Sequence, residues 1–137
     1  MNVIICIDNN GGMLFNYRRQ SKDRFVQEDI IQLIGNHRLW MNQFTKNQFL
    51  NVSTSIHQIN VAEDFLKKAQ NGDYCFVENV DISPHISKID KIILFKWNRV
   101  YPADTFLSLD LSEWTLENTE DFTGHSHDKI TKEIYRR

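Results

Sequence analysis

Val3-Ile4-Ile5-Cys6-Ile7-Asp8-Asn9-Asn10-Gly11-Gly12 is the stretch that sets the fold class. A continuous apolar run opens it and a cluster of turn formers closes it. A short run bounded in this way predicts a strand buried on both faces, as in a parallel sheet covered by helices. Three further runs have the same character: Arg38-Leu39-Trp40-Met41, Tyr74-Cys75-Phe76-Val77 and Lys91-Ile92-Ile93-Leu94-Phe95-Lys96-Trp97.

Helical patterns lie between these runs. Phe25, Val26, Asp29/Ile30, Leu33 and Ile34 keep helical spacing, with Ser21 as the expected N-cap and Gly35 as a natural terminator. Asn42-Gln43-Phe44-Thr45 turns into a short helix reaching about Leu50. Residues 52–59 alternate weakly, which predicts a short strand. The next helix is expected from Asn60 or Glu63, with Val61, Phe65, Leu66 and Ala69 inward and Asn71-Gly72 ending it. A single helical turn is expected over residues 82–87, with Pro84 near its start. Strands separated by helices at this spacing predict crossover units and a mainly parallel sheet.

The end of the chain differs. Trp114-Thr115-Leu116-Glu117-Asn118 and Lys129-Ile130-Thr131-Lys132-Glu133-Ile134-Tyr135 alternate around a polar loop over residues 119–128. That pattern predicts an antiparallel pair added to the parallel sheet. The expected architecture is α/β and three-layered: a mainly parallel central sheet with a C-terminal antiparallel hairpin, in a single domain over residues 1–137.

Bulk properties bound the function. Hydrophobic residues make up 41% and charged residues 25% of the chain, as in an ordinary globule with a firm core. Net charge is -2, which gives no global attraction for nucleic acid or an anionic membrane. No apolar stretch approaches the roughly 18 residues of a membrane span, and Met1 runs directly into a strand rather than a signal peptide. The expectation is a cytoplasmic protein with no nucleic-acid and no membrane partner. Cys6 and Cys75 sit in apolar runs and read as buried thiols packed as small hydrophobes.

Polar donors concentrate in one place. Met13-Leu14-Phe15-Asn16-Tyr17-Arg18-Arg19-Gln20-Ser21-Lys22-Asp23-Arg24 follows the first strand and precedes the first helix. Open α/β sheets hold ligands at the carboxyl ends of their strands. Arginine's planar fork suits carboxylate or phosphate, and a helix N-terminus adds its dipole. Asp23 is the candidate catalytic residue, either as an orienting partner of an arginine or as a general acid/base. Asn42 and Thr45, at the end of another buried strand, are candidates for a second wall of the same pocket. The residues expected to bind a ligand are therefore Asn16, Arg18, Arg19, Gln20, Asn42 and Thr45.

Other patterns carry less. His125 and His127 share one face of an extended segment, but a metal needs three or four matched ligands, so surface histidines in a hairpin loop and no metal site are expected. No nucleophile elbow, P-loop or C-x-x-C is present. Trp40, Trp97 and Trp114 lie in strand patterns and read as core.

Several segments, in order, resemble dihydrofolate reductase. Ile89-Asp90-Lys91-Ile92-Ile93-Leu94 is similar to that family's A-D-K-L-Y-L strand, and Asp104-Thr105-Phe106 to its D-T-x-F turn. Leu111-Ser112-Glu113-Trp114, Ser126-His127 and Glu133-Ile134-Tyr135-Arg136-Arg137 resemble its closing hairpin. Ile4-Ile5-Cys6-Ile7-Asp8-Asn9-Asn10-Gly11-Gly12 resembles its first strand and the glycine-bearing loop after it.

The resemblance implies a reductase scaffold, an NADPH site and an active-site acid near the start of the first helix, where Asp23 is nearest. The cofactor fingerprints depart from the family pattern. Its M-G-R-x-T turn reads Met41-Asn42-Gln43-Phe44-Thr45 here, without the phosphate-facing glycine and arginine. Its Gly-Gly pair falls near Val77-Glu78-Asn79-Val80, which brings a carboxylate to the place of a pyrophosphate. Its L-P-W segment is replaced by Tyr17-Arg18-Arg19-Gln20, and the chain is short around residues 49–60, where an adenosine lobe would lie. NADPH is therefore not expected as a cofactor, nor conventional dihydrofolate reduction. The leading expectation is a divergent domain that binds a small polar or anionic molecule. An oxidoreductase with a differently bound nicotinamide or flavin, and a non-catalytic module with a protein partner, stay open.

Overall fold

The computed structural model describes residues 1–49 and 58–137. Among the described residues the central sheet has seven strands, in the spatial order β5 (Ile59–Val61), β4 (Leu39–Met41), β6 (Tyr74–Phe76), β1 (Asn2–Ile7), β7 (Lys91–Lys96), β10 (Ile130–Arg136) and β9 (Thr115–Phe122). The first five in that spatial order are parallel; β10 pairs antiparallel with both β7 and β9. The mainly parallel sheet with a C-terminal antiparallel hairpin is thus observed.

The four apolar runs form the sheet's middle because alternation gives each face its own core. Val3, Ile5, Ile7, Cys75, Ile92 and Leu94 join one cluster with Phe65, Leu66, Ile82 and Ile89. Ile4, Phe76, Ile93, Phe95 and Trp97 join the other, with Val26, Ile30 and Ile34 from α1 (Arg24–Ile34). Each fully buried aliphatic or phenyl side chain contributes roughly 1.5–3 kcal/mol. Cys75 is buried and Cys6 partly so, both as free thiols. Burial pushes the Cys75 thiol up to about 12, which leaves it protonated and inert.

Three element boundaries differ from expectation. The cap of α1 is Asp23, not Ser21: its Oδ1 accepts from the Phe25 N–H at 2.9 Å. Asn60 and Val61 belong to β5, paired with Trp40 and Met41, so the following helix shrinks to α3 (Phe65–Lys68). The polar loop expected over residues 119–128 begins later, because β9 continues to Phe122. The predicted short helix is α2 (Gln43–Lys46), continued by a 3₁₀ turn at Asn47–Phe49. Leu50 and most of the strand expected over residues 52–59 lie outside the described residues.

A second sheet was not expected. It joins β3 (Arg18–Arg19), β2 (Gly12–Phe15) and β8 (Thr105–Phe106). The β2–β3 hairpin turns through Asn16 and Tyr17, whose φ values are 52° and 62°. Two-residue hairpin loops with both central φ positive match strand twist but favour Asn and Gly. Asn16 suits its place; Tyr17 does not, and its ring is exposed. Tyr17→Gly is expected to raise stability by roughly 1 kcal/mol, read as an upward shift of the urea midpoint.

The helix that follows β1 and β2–β3 and the turn that follows β6 pack on opposite faces of the sheet. After β1 the chain reaches α1, packed on one cluster; after β6 it reaches Ile82, Ile86 and Ile89, packed on the other. Adjacent strands with such diverging connections open a crevice at their carboxyl ends. The donor-rich loop lies there.

Candidate functional site

Asp8, at the end of β1, anchors the loop. It is buried and accepts from the N–H groups of Asn10, Gly12 and Tyr101 and from Gln20 Nε2 at 2.8 to 3.1 Å. Burial alone would raise its carboxyl; these four donors outweigh it and hold it below the usual range. Gly12 passes so close that a Cβ there would fall 2.6 Å from Gln20 Nε2 and 3.0 Å from Asp8 Oδ1. The loop is pinned by its own first strand.

Arg19 spans the crevice. Its Nε and Nη2 donate to the two carboxylate oxygens of Glu78, each at 3.0 Å. Nη2 also donates to the Phe44 carbonyl at 2.8 Å, and the guanidinium lies 4.5 Å from the Phe44 ring centroid. Glu78 follows β6, and Phe44 lies on α2 beyond β4. The guanidinium therefore ties three strand ends together, in a bidentate pair of the strong, geometrically specific kind.

Four expected ligand residues share a cavity. Asn16, Arg18, Arg19 and Gln20 line a space of about 260 Å³ together with Phe15, Tyr101 and Pro102. Arg18 has no ion pair among the described residues. Gln20 donates to Asp8, while its Oε1 is buried with no donor among the described residues. Turning the amide over would set that oxygen against the Asp8 carboxylate, so the orientation is fixed. Asn42 and Thr45 are absent from this cavity. Asn42 caps α2, accepting from the Thr45 N–H at 3.1 Å, and donates to Asn79 Oδ1 at 2.7 Å. Thr45 is buried, and its hydroxyl has no hydrogen-bond partner among the described residues. These two residues thus serve the end of β4.

Asp23 lies on the other side of the loop, wholly buried. Its Oδ1 accepts from the N–H groups of Phe25 and His125, both at 2.9 Å. Its Oδ2 accepts from the Ser126 N–H at 2.9 Å, Ser126 Oγ at 3.2 Å and His127 Nδ1 at 2.8 Å. Burial pushes this carboxyl up, but the donors prevail and hold it well below the usual carboxylate range. A carboxylate offers about four lone-pair sites, so none is left for an outside molecule.

His127 is therefore no surface histidine. Its ring is buried, and the Trp97 indole stacks on it with centroids 4.6 Å apart. Its Nε2 meets Ser21 Oγ at 2.9 Å and Tyr101 OH at 3.2 Å. His125 stays exposed, edge-on to Phe25. Sequence reasoning missed Ser21, Tyr101 and His127 as a group; the one signal was a second histidine beside the resemblance at Ser126-His127. No three potential metal-ligating side chains gather among the described residues, and no helix there is long and apolar enough to cross a membrane.

The architecture and the crevice define an α/β protein with the dihydrofolate reductase fold. Among solved structures, the chain is similar to dihydrofolate reductase from Enterococcus faecalis, solved with NADP(H) and RAB-propyl. The two match with a TM-score of 0.69 over 99% of this chain and 95% of that one, at 12% identity. No protein-family model matches the chain, and no curated protein matches it. The likeness is one of fold.

Proposed function

We propose that this protein binds a small anionic molecule, a carboxylate or phosphate compound, in the cavity between the β2–β3 hairpin and residues 101–102. The observation that carries the reading is the meeting of Asn16, Arg18, Arg19 and Gln20 around one space of about 260 Å³. Arg18 supplies the charge: it lines the cavity and has no protein anion as partner among the described residues. Phe15, Tyr101 and Pro102 supply apolar walls, the usual composition of a small-molecule site.

A nicotinamide dinucleotide does not fit the residues at the strand ends. Pyrophosphate needs backbone N–H groups and close approach. By the family resemblance the Glu78 carboxylate falls where a pyrophosphate would lie, and its cation partner Arg19 is already neutralised by it.

Calorimetric titration with inorganic phosphate and with citrate tests the reading. A charge-assisted contact is worth about 1.5–3 kcal/mol, so Arg18→Ala is expected to weaken binding roughly 10- to 100-fold. Saturable binding that Arg18→Ala leaves unchanged removes the assignment.

A further inference from the structure

Ser21, His127 and Asp23 form a relay that anion binding does not use. Ser21 Oγ lies 2.9 Å from His127 Nε2, and His127 Nδ1 lies 2.8 Å from Asp23 Oδ2. In the neutral imidazole, the Asp23 carboxylate beside Nδ1 places the ring proton there and leaves the Nε2 lone pair as the acceptor. The tautomer is thus assigned by the hydrogen-bond network. Ser21 and Tyr101 both present hydroxyls to that lone pair. The ring is fixed from behind by Trp97, and Asp23 by backbone donors of two segments. Ser21 itself is only partly buried, at the open end of the relay.

We propose that Ser21 is a nucleophile, His127 its general base and Asp23 the group that orients the base, in acyl transfer from small esters. Recognition of such triads rests on geometry and role rather than on sequence order. Gln20, Ser21's chain neighbour, and Tyr101, His127's other partner, both line the cavity of about 260 Å³, so the relay lies next to that cavity's wall. The substrate class, an ester that also bears a carboxylate or phosphate for Arg18, rests on the anion-binding reading above; the triad does not.

The step balances without a cofactor. Ser21 Oγ forms a bond to the ester carbonyl carbon while its proton passes to His127 Nε2. The tetrahedral adduct then breaks its bond to the alkoxide, which takes that proton and leaves as alcohol. Water repeats the sequence: it gives a proton to His127, bonds to the acyl carbon and releases Ser21, whose oxygen recovers the proton. Tyr101 is a hydrogen-bonding neighbour of the base and takes no part in these transfers.

A neutral fluorophosphonate probe tests the triad on the intact chain by mass spectrometry. One adduct is expected, mapped to Ser21 and abolished by Ser21→Ala, a change at a partly exposed position. General-base assistance is worth about 10²–10⁴-fold, so His127→Gln is expected to slow labelling at least about 100-fold. No adduct on the wild-type chain, or an adduct that survives Ser21→Ala, overturns the triad. A labelling rate unchanged by His127→Gln in a variant with wild-type circular dichroism also overturns it.

Paired ester assays separate the two readings. Faster turnover of a carboxylate-bearing ester than of its neutral analogue, lost in Arg18→Ala, supports the substrate class. Equal turnover of the two overturns that class while labelling at Ser21 stands.

Discussion

Asp23→Ala is expected to lower the unfolding free energy by about 3–5 kcal/mol, the range for removing one partner of a buried, hydrogen-bonded charge. The loss is large because the carboxylate is a joint rather than a contact. It caps α1 through Phe25 and holds the loop between β9 and β10 through His125, Ser126 and His127. Deleting it leaves three backbone N–H groups and an imidazole N–H without their acceptor. Asp23→Asn is expected to be nearly as damaging, because an amide turns one acceptor oxygen into a donor that faces donors. Urea unfolding at neutral pH measures both losses.

The same joint sets an acid limb. The Asp23 carboxyl is lower in the folded chain than in the unfolded one, where it titrates near about 3.9. Its stabilisation is therefore full above that value and is lost as pH falls toward the folded value. The gap between wild type and Asp23→Ala is expected to be widest at neutral pH and to narrow below about pH 4. Asp8 and Asp73 are shifted in the same direction by their own donors. The variant accordingly keeps part of the acid limb. A gap that stays constant from pH 7 to about pH 2 would contradict the role of the charge.

The parts of this molecule that were legible in its sequence are those whose physics is local. β1, β4, β6 and β7 are buried on both faces, so their apolar runs announce them. The β9–β10 hairpin announces itself by alternation. β3 and β8 are two residues long and leave no periodicity to read. Val61, Phe65, Leu66 and Ala69 keep helical spacing, yet pairing of β5 with β4 claims Val61, which is exposed. Ser21 and Asp23 are both good caps, and only the reach to the Phe25 N–H decides between them.

The site divides along the same line. Its position followed from a donor-rich loop at a strand end. Arg18, Arg19 and Gln20, which line one cavity, could be named as candidates because their side-chain chemistry is local. His127 lies in a polar, turn-like segment, and its burial is created by a carboxylate 104 residues earlier. Glu78 stood out as a misplaced negative charge beside a family pattern. Its partner, Arg19, is 59 residues away. Pairings at such separations have no signature in either local segment.

That last pair yields a second large effect. Glu78 is 9% exposed and Arg19 22%, so each charge has left most of its water and depends on the other. Arg19→Ala and Glu78→Ala are each expected to cost about 3 kcal/mol, mostly the penalty of the charge left behind. The double variant is expected to lose less than the sum, by about 1.5–3 kcal/mol of coupling. The two singles differ in what can rescue them. Glu78→Ala leaves a guanidinium held by the Phe44 carbonyl and ring at the mouth of the crevice, open to an external anion. Inorganic phosphate is expected to raise its thermal midpoint well beyond the shift seen for wild type or for Arg19→Ala. Uniform shifts across all three would mean that phosphate acts through Arg18 or through general salt effects alone. Selective rescue of Glu78→Ala would mean that Glu78 occupies, from within the chain, a place that an anion can otherwise take.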